Sequence, residues 1–85
     1  MPIIARFYGI IIQMYWEEHN PPHLHAEYQG NKMQISIKTL EVKGDFPARA
    51  KAMVFEWLSL HLNEIMENWE LAQQGKPLKK IEPLK

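Results

Sequence analysis

The chain of 85 residues contains no cysteine, which removes disulfide frameworks and thiolate chemistry and suits a reducing cytoplasm. It has no surplus of charge either. Ten basic and ten acidic side chains cancel, so no bulk electrostatic argument favours nucleic acid or an anionic membrane, and any such contact must use a local patch. Long apolar runs are missing too. Ile10-Ile11-Ile12 is interrupted by Gln13, far short of a bilayer span, and the N-terminus lacks the basic and apolar segments of a signal peptide. No internal repeat or low-complexity tract is visible. We expect a cytoplasmic protein without membrane association. The length allows one domain, residues 1–85, with a modest core. A small domain buries only about 60–65% of the surface its unfolded chain exposes, so a homo-oligomer or a protein partner would help.

What is present falls into two halves. Residues 3–17 are rich in β-branched and aromatic types, which favours a central strand, or two strands with a bend or bulge at Gly9. A polar, proline-bearing connection follows. Residues 23–29 alternate well enough for another strand, with Gly30-Asn31 as a two-residue hairpin turn. Met33, Ile35 and Ile37 against Gln34, Ser36 and Lys38 mark a half-exposed antiparallel strand over 32–40. A short strand near 41–43 is the fourth candidate. Asp45 is placed to cap a helix and Pro47 to occupy its first position, while Gly75 and Pro77 supply a stop. Between them Ala50, Val54, Trp57, Leu58, His61, Ile65, Trp69 and Ala72 share one stripe, widened by Phe55, Leu62 and Met66. Glu56, Ser59, Asn63, Glu67 and Glu70 lie opposite. One helix of that span would be roughly 40 Å long, longer than the sheet, so a bend or break is expected. Leu78, Ile81 and Leu84 are docking residues for the lysine- and proline-rich tail 76–85. Strands first and helix second give an α+β fold: a three- to four-stranded antiparallel sheet over 1–44, with a long C-terminal helical segment over 45–75 packed on one face.

The chemistry concentrates in His19-Asn20-Pro21-Pro22-His23-Leu24-His25, which gathers three of the four histidines. If His23 opens a strand, His23 and His25 share a face, and the prolines hold His19 at the end of a short turn. Three readings follow. In an acid–base site, one histidine takes a proton and another gives it. A metal-independent ribonuclease built that way needs a cation for the charged phosphorane, for which Arg6 is the candidate, and Tyr8 and Tyr28 offer hydroxyls. That site needs no cofactor. Alternatively, His19, His23 and His25 are three imidazole ligands for a transition metal such as zinc. In the third reading His19 caps the turn, the other two rings bond backbone, and the chain is a non-catalytic interaction module. His61 sits in the apolar stripe with Glu64 one turn on, where either one facing the strand histidines would orient a ring. Trp57 and Trp69 fit core packing, and an exposed Trp16 would point to a protein partner.

Arg6-Phe7-Tyr8-Gly9, Met14-Tyr15, the segment from His19 to Ala26, Tyr28, Glu56-Trp57, Asn68-Trp69-Glu70, Pro77 and Lys80-Ile81 together resemble a small bacterial family, domain of unknown function 4160. The likeness runs over nearly the whole chain, and the double-proline histidine motif is its most specific part. Leu24 departs from it, standing where an aromatic is more typical. The resemblance implies one half of a two-gene module, beside a protein of the domain of unknown function 2442 family, in an arrangement similar to toxin–antitoxin pairs. This chain would then be the toxin-like component, acting on RNA through His19, His23 and His25 with Arg6 and Tyr28. The family brings no settled catalytic mechanism.

Overall fold

In the computed structural model, which describes residues 3–16 and 18–85, two tight hairpins set the start of the fold. Tyr8 and Gly9 both have positive φ, 50° and 80°, and so do Gln29 and Gly30, at 48° and 82°. That is the geometry whose twist matches paired strands. The first turn joins β1 (Ile3–Phe7) to β2 (Ile10–Gln13), and the second joins β3 (His23–Tyr28) to β4 (Asn31–Ser36). With β5 (Val42–Gly44) they form one antiparallel sheet in the order β1-β2-β3-β4-β5.

The class is the expected α+β, with five strands rather than three or four. Gly9 makes a full reversal, so the apolar run becomes two strands, and the bulge lies instead between Ile3 and Ala5. β1 is an edge strand and not a central one. Its bulk is nonetheless covered, because the C-terminal tail runs back beside it and the Ile81 amide donates to the Ile4 carbonyl at 2.8 Å. The second hairpin turns at Gln29-Gly30, one residue before the expected Gly30-Asn31, because Asn31 pairs with Tyr28.

The helical half breaks, as its length requires. α1 (Ala48–Leu60) and α2 (Leu62–Gln73) meet at His61, whose φ and ψ of −128° and 25° leave the helical region. α1 starts later than expected: Pro47, with an extended ψ of 139°, holds the cap position and no side chain caps the helix, so Asp45 lies too far upstream to do so. At the other end Gly75 does stop α2. Its amide donates to Ala72 at 3.1 Å, and the Lys76 amide reaches back to Leu71 at 2.9 Å, a Schellman closure. No helix among the described residues is long and apolar enough to cross a membrane.

Strand alternation sorts the sheet into two faces. Leu24, Ala26, Ile10, Ile12, Met33 and Ile35 are buried on the face that packs with Val54, Trp57, Leu58, Ile65 and Trp69 in a single core. Of the predicted stripe, Leu62 instead remains 42% exposed, since it starts α2 just after the break. Ile81 seals the core at 4% exposure, with Leu78 and Leu84 half-buried against it. The opposite face carries His23, His25 and Glu27 on β3 beside Ser36, Gln34 and Lys32 on β4.

Candidate functional site

His23 and His25 follow the double proline into β3 and point to the same polar face, their ring centroids 5.2 Å apart. The approach to the strand is anchored at several points. The Pro22 carbonyl accepts from the Ile37 amide at 3.0 Å, and the Asn20–Pro21 peptide is cis. The preceding segment is tied to the C-terminal half: the Trp16 indole donates to the Lys76 carbonyl at 2.9 Å and the Gln73 amide to the Glu18 carbonyl at 2.8 Å. These bonds hold the Glu18 backbone, and its carboxylate reaches between the two rings.

The hydrogen bonds assign the ring tautomers. His23 Nδ1 lies 2.9 Å from the Pro21 carbonyl oxygen, an atom that only accepts, so the ring donates from Nδ1 and its Nε2 faces inward. His25 Nε2 lies 2.9 Å from Glu18 Oε1 and donates to that carboxylate. His23 Nε2 is 3.5 Å from Glu18 Oε2. A neutral His23 therefore presents a lone pair to a carboxylate oxygen, an arrangement that a proton or a bound cation between them turns from repulsion to attraction. The three donor atoms lie within 4.8 Å of one another. Tetrahedral zinc, with ligand bonds near 2.0–2.1 Å, wants its donors about 3.3 Å apart, so a small inward shift of the rings suffices. Side-chain exposures of 9% for His23, 25% for His25 and 28% for Glu18 leave the cluster walled on one side and open on the other. Trp69 packs against His23 at 5.2 Å and Tyr15 stands edge-on to His25 at 4.6 Å. The Tyr15 hydroxyl donates to Gln13 Oε1 at 3.0 Å.

The expected constellation is thus partly assembled. His23 and His25 converge. His19 is exposed and lines the hollow beside the cluster, and Glu18, its neighbour in sequence, holds the third position instead. Arg6 is exposed on the edge strand. Its row runs through Ile11 to Glu27, two strands across from β3 and two residues along it from His25, about 12 Å between backbones by strand spacing and rise. Arg6 lines a separate hollow with Phe7, Tyr8, Gly9, Ile10 and Ile11. Tyr28 belongs to the other face, half-buried against Phe46 at 6.1 Å, because it is an odd number of residues from His23 and His25. Tyr8 is a turn residue with 60% exposure. His61 and Glu64 bond each other at 2.7 Å beside Trp57, at the helix break, and the carboxylate that orients a strand ring is Glu18. Sequence reasoning missed Glu18 because it sits in a connection with no periodicity to assign it a face. The available signal was an acidic residue adjoining the histidine motif.

The hollow on this face is lined by His19, His23, Ser36, Lys38, Glu41 and Lys43, among others, and encloses about 490 Å³. A second, of about 320 Å³, continues past Gln34 and Lys43 to His25, Tyr15, Glu27 and Lys32.

A family model described as Domain of unknown function (DUF4160) matches residues 9–70, most of the chain and all of the site. Neither the curated proteins nor the solved structures contain a significant match to it.

Proposed function

The chain belongs to the DUF4160 family, and from that premise we propose that it is a metal-binding domain holding a divalent transition metal through Glu18, His23 and His25. The observation that carries this reading is the inward-facing Nε2 of His23, its tautomer set by the Pro21 carbonyl at 2.9 Å, directed at the Glu18 carboxylate 3.5 Å away. Metal-ligating histidines characteristically donate their other ring N–H to a backbone carbonyl or carboxylate. Two imidazoles and one carboxylate with open positions suit zinc or ferrous iron. A metal so placed supplies Lewis acidity to whatever binds beside it. Binding would require the His25 ring proton to move from Nε2 to Nδ1, which frees Nε2 as a ligand and replaces its hydrogen bond to Glu18.

The test is metal analysis of protein purified without a histidine tag, followed by titration with Co²⁺. Near-stoichiometric metal, and cobalt absorption bands lost in the His23→Ala/His25→Ala variant, are expected. A wild-type protein that takes up no metal from micromolar solutions ends the proposal.

A second reading keeps the same two rings as an acid–base pair, favoured by their 5.2 Å separation and shared carboxylate. In it the protein is the toxin-like half of a module, acts on RNA, and is countered by a partner of the domain of unknown function 2442 family. Growth arrest on induction, lost in a folded His23→Ala/His25→Ala variant, supports it; arrest retained in that variant eliminates it.

A further inference from the structure

We infer that the hollow walled by His19, His23, Ser36, Lys38 and Lys43 binds the phosphate group of a phosphate ester beside the metal held by Glu18, His23 and His25. The inference rests on the metal reading and names the ligand class for that site. Register places the parts. Lys43 pairs with Gln34, and Gln34 pairs with His25, so Lys43 lies in the His25 row, about 10 Å across the sheet by strand spacing. A lysine side chain covers much of that interval. Ser36 pairs with His23, and Lys38 follows two residues later on the wall of the same hollow. The hollow thus has His19 and His23 along one side and Lys38 and Lys43 along the other.

Its charge favours an anion. Two lysines face one acid, Glu41, among the residues that line it. Among the described residues, neither Lys38 nor Lys43 forms an ion pair within 4.0 Å, although Lys79 and Lys85 on the tail do. A volume of about 490 Å³ falls in the range of small-ligand sites. Lys38 and Lys43 come from different elements, the β4–β5 connection and β5. A tetrahedral dianion can use both at once and still present an oxygen toward the cluster, whereas a planar carboxylate has too few oxygens for all three. Lysine acts toward phosphate as a point charge. His19, Ser36 and Gln34 add donors around the rim.

The experiment uses the full chain loaded with Co²⁺ and phenyl phosphate as probe, with benzoate as the planar control. Cobalt bands report the metal, and the perturbation of those bands together with ³¹P line broadening reports the phosphate. Wild type should bind phenyl phosphate at least about tenfold more tightly than benzoate. Lys38→Ala/Lys43→Ala should weaken phenyl phosphate by about tenfold or more while its Co²⁺ affinity stays within about twofold, which also shows that it is folded. Equal phosphate affinity in wild type and the double variant overturns the inference and leaves the metal reading standing, as does benzoate binding as tightly as the ester. Absence of cobalt bands in wild type overturns both.

Discussion

Glu18 decides what the histidine pair can do. Replacing it with glutamine keeps an oxygen able to accept from His25 but removes the negative charge between the rings. Glu18→Gln should therefore retain the fold, as read by circular dichroism, and lose about tenfold to a hundredfold in Co²⁺ affinity. A very different polar residue is Asn68, 1% exposed, whose side chain accepts from the Lys79 amide and donates to the Lys79 carbonyl, both at 2.8 Å. Asn68→Ala leaves two backbone groups without partners and should cost about 2–3 kcal/mol in urea unfolding. Neither residue stood out by residue type. His23 and His25 were legible because strand alternation assigns a face from spacing alone. Glu18 sits in an aperiodic connection, and Asn68 interrupts an apolar stripe, so only the chain they bond to reveals their roles.

At the level of the elements, glycine positions separate backbone conformation from space. Gly30 has φ of +82°, and a Cβ added there would meet nothing within 4 Å, whereas a Cβ on Gly44, at φ +106°, would fall 2.5 Å from the Lys32 carbonyl oxygen. Gly30→Ala should cost about 1 kcal/mol, the penalty of the left-handed conformation. Gly44→Ala must in addition displace β5 from β4, and chemical denaturation should show a loss at least about twice as large. Because β5 carries Lys43, Gly44→Ala should also weaken the polar hollow. Sequence patterns hold for some of these elements and fail for others. The helix break at His61 follows from a stripe too long for its sheet. The one-residue shift of the second hairpin does not, since Gln29 has to accept a positive φ that Gly30-Asn31 would have offered more readily. Moving the turn by one residue changes the register by two, so Met33 and Ile35 face the core either way; the observed pairing sets Met33 opposite Ala26 and Ile35 opposite Leu24.

On the scale of the whole molecule, the tail is part of the core. Ile81 is 4% exposed and bonds Ile4, the Glu82 carbonyl accepts from the Trp57 indole at 2.7 Å, and Lys79 completes Asn68. A chain ending at Pro77 loses all of these contacts and should melt at least about 15 °C lower by calorimetry, since a small domain shifts several degrees per kcal/mol. Leu78, Ile81 and Leu84 stand out in the sequence as docking residues, but their destination was not readable there, because contacts across the length of the chain leave no local pattern.

That return of the tail to the first strand also orders events during synthesis. β1 leaves the ribosome well before the segment that covers it and waits, with its outer edge bare, until residues 78–84 have cleared the exit tunnel. Nascent chains stalled short of that point should be digested readily by protease, and those extended past it by a linker should resist.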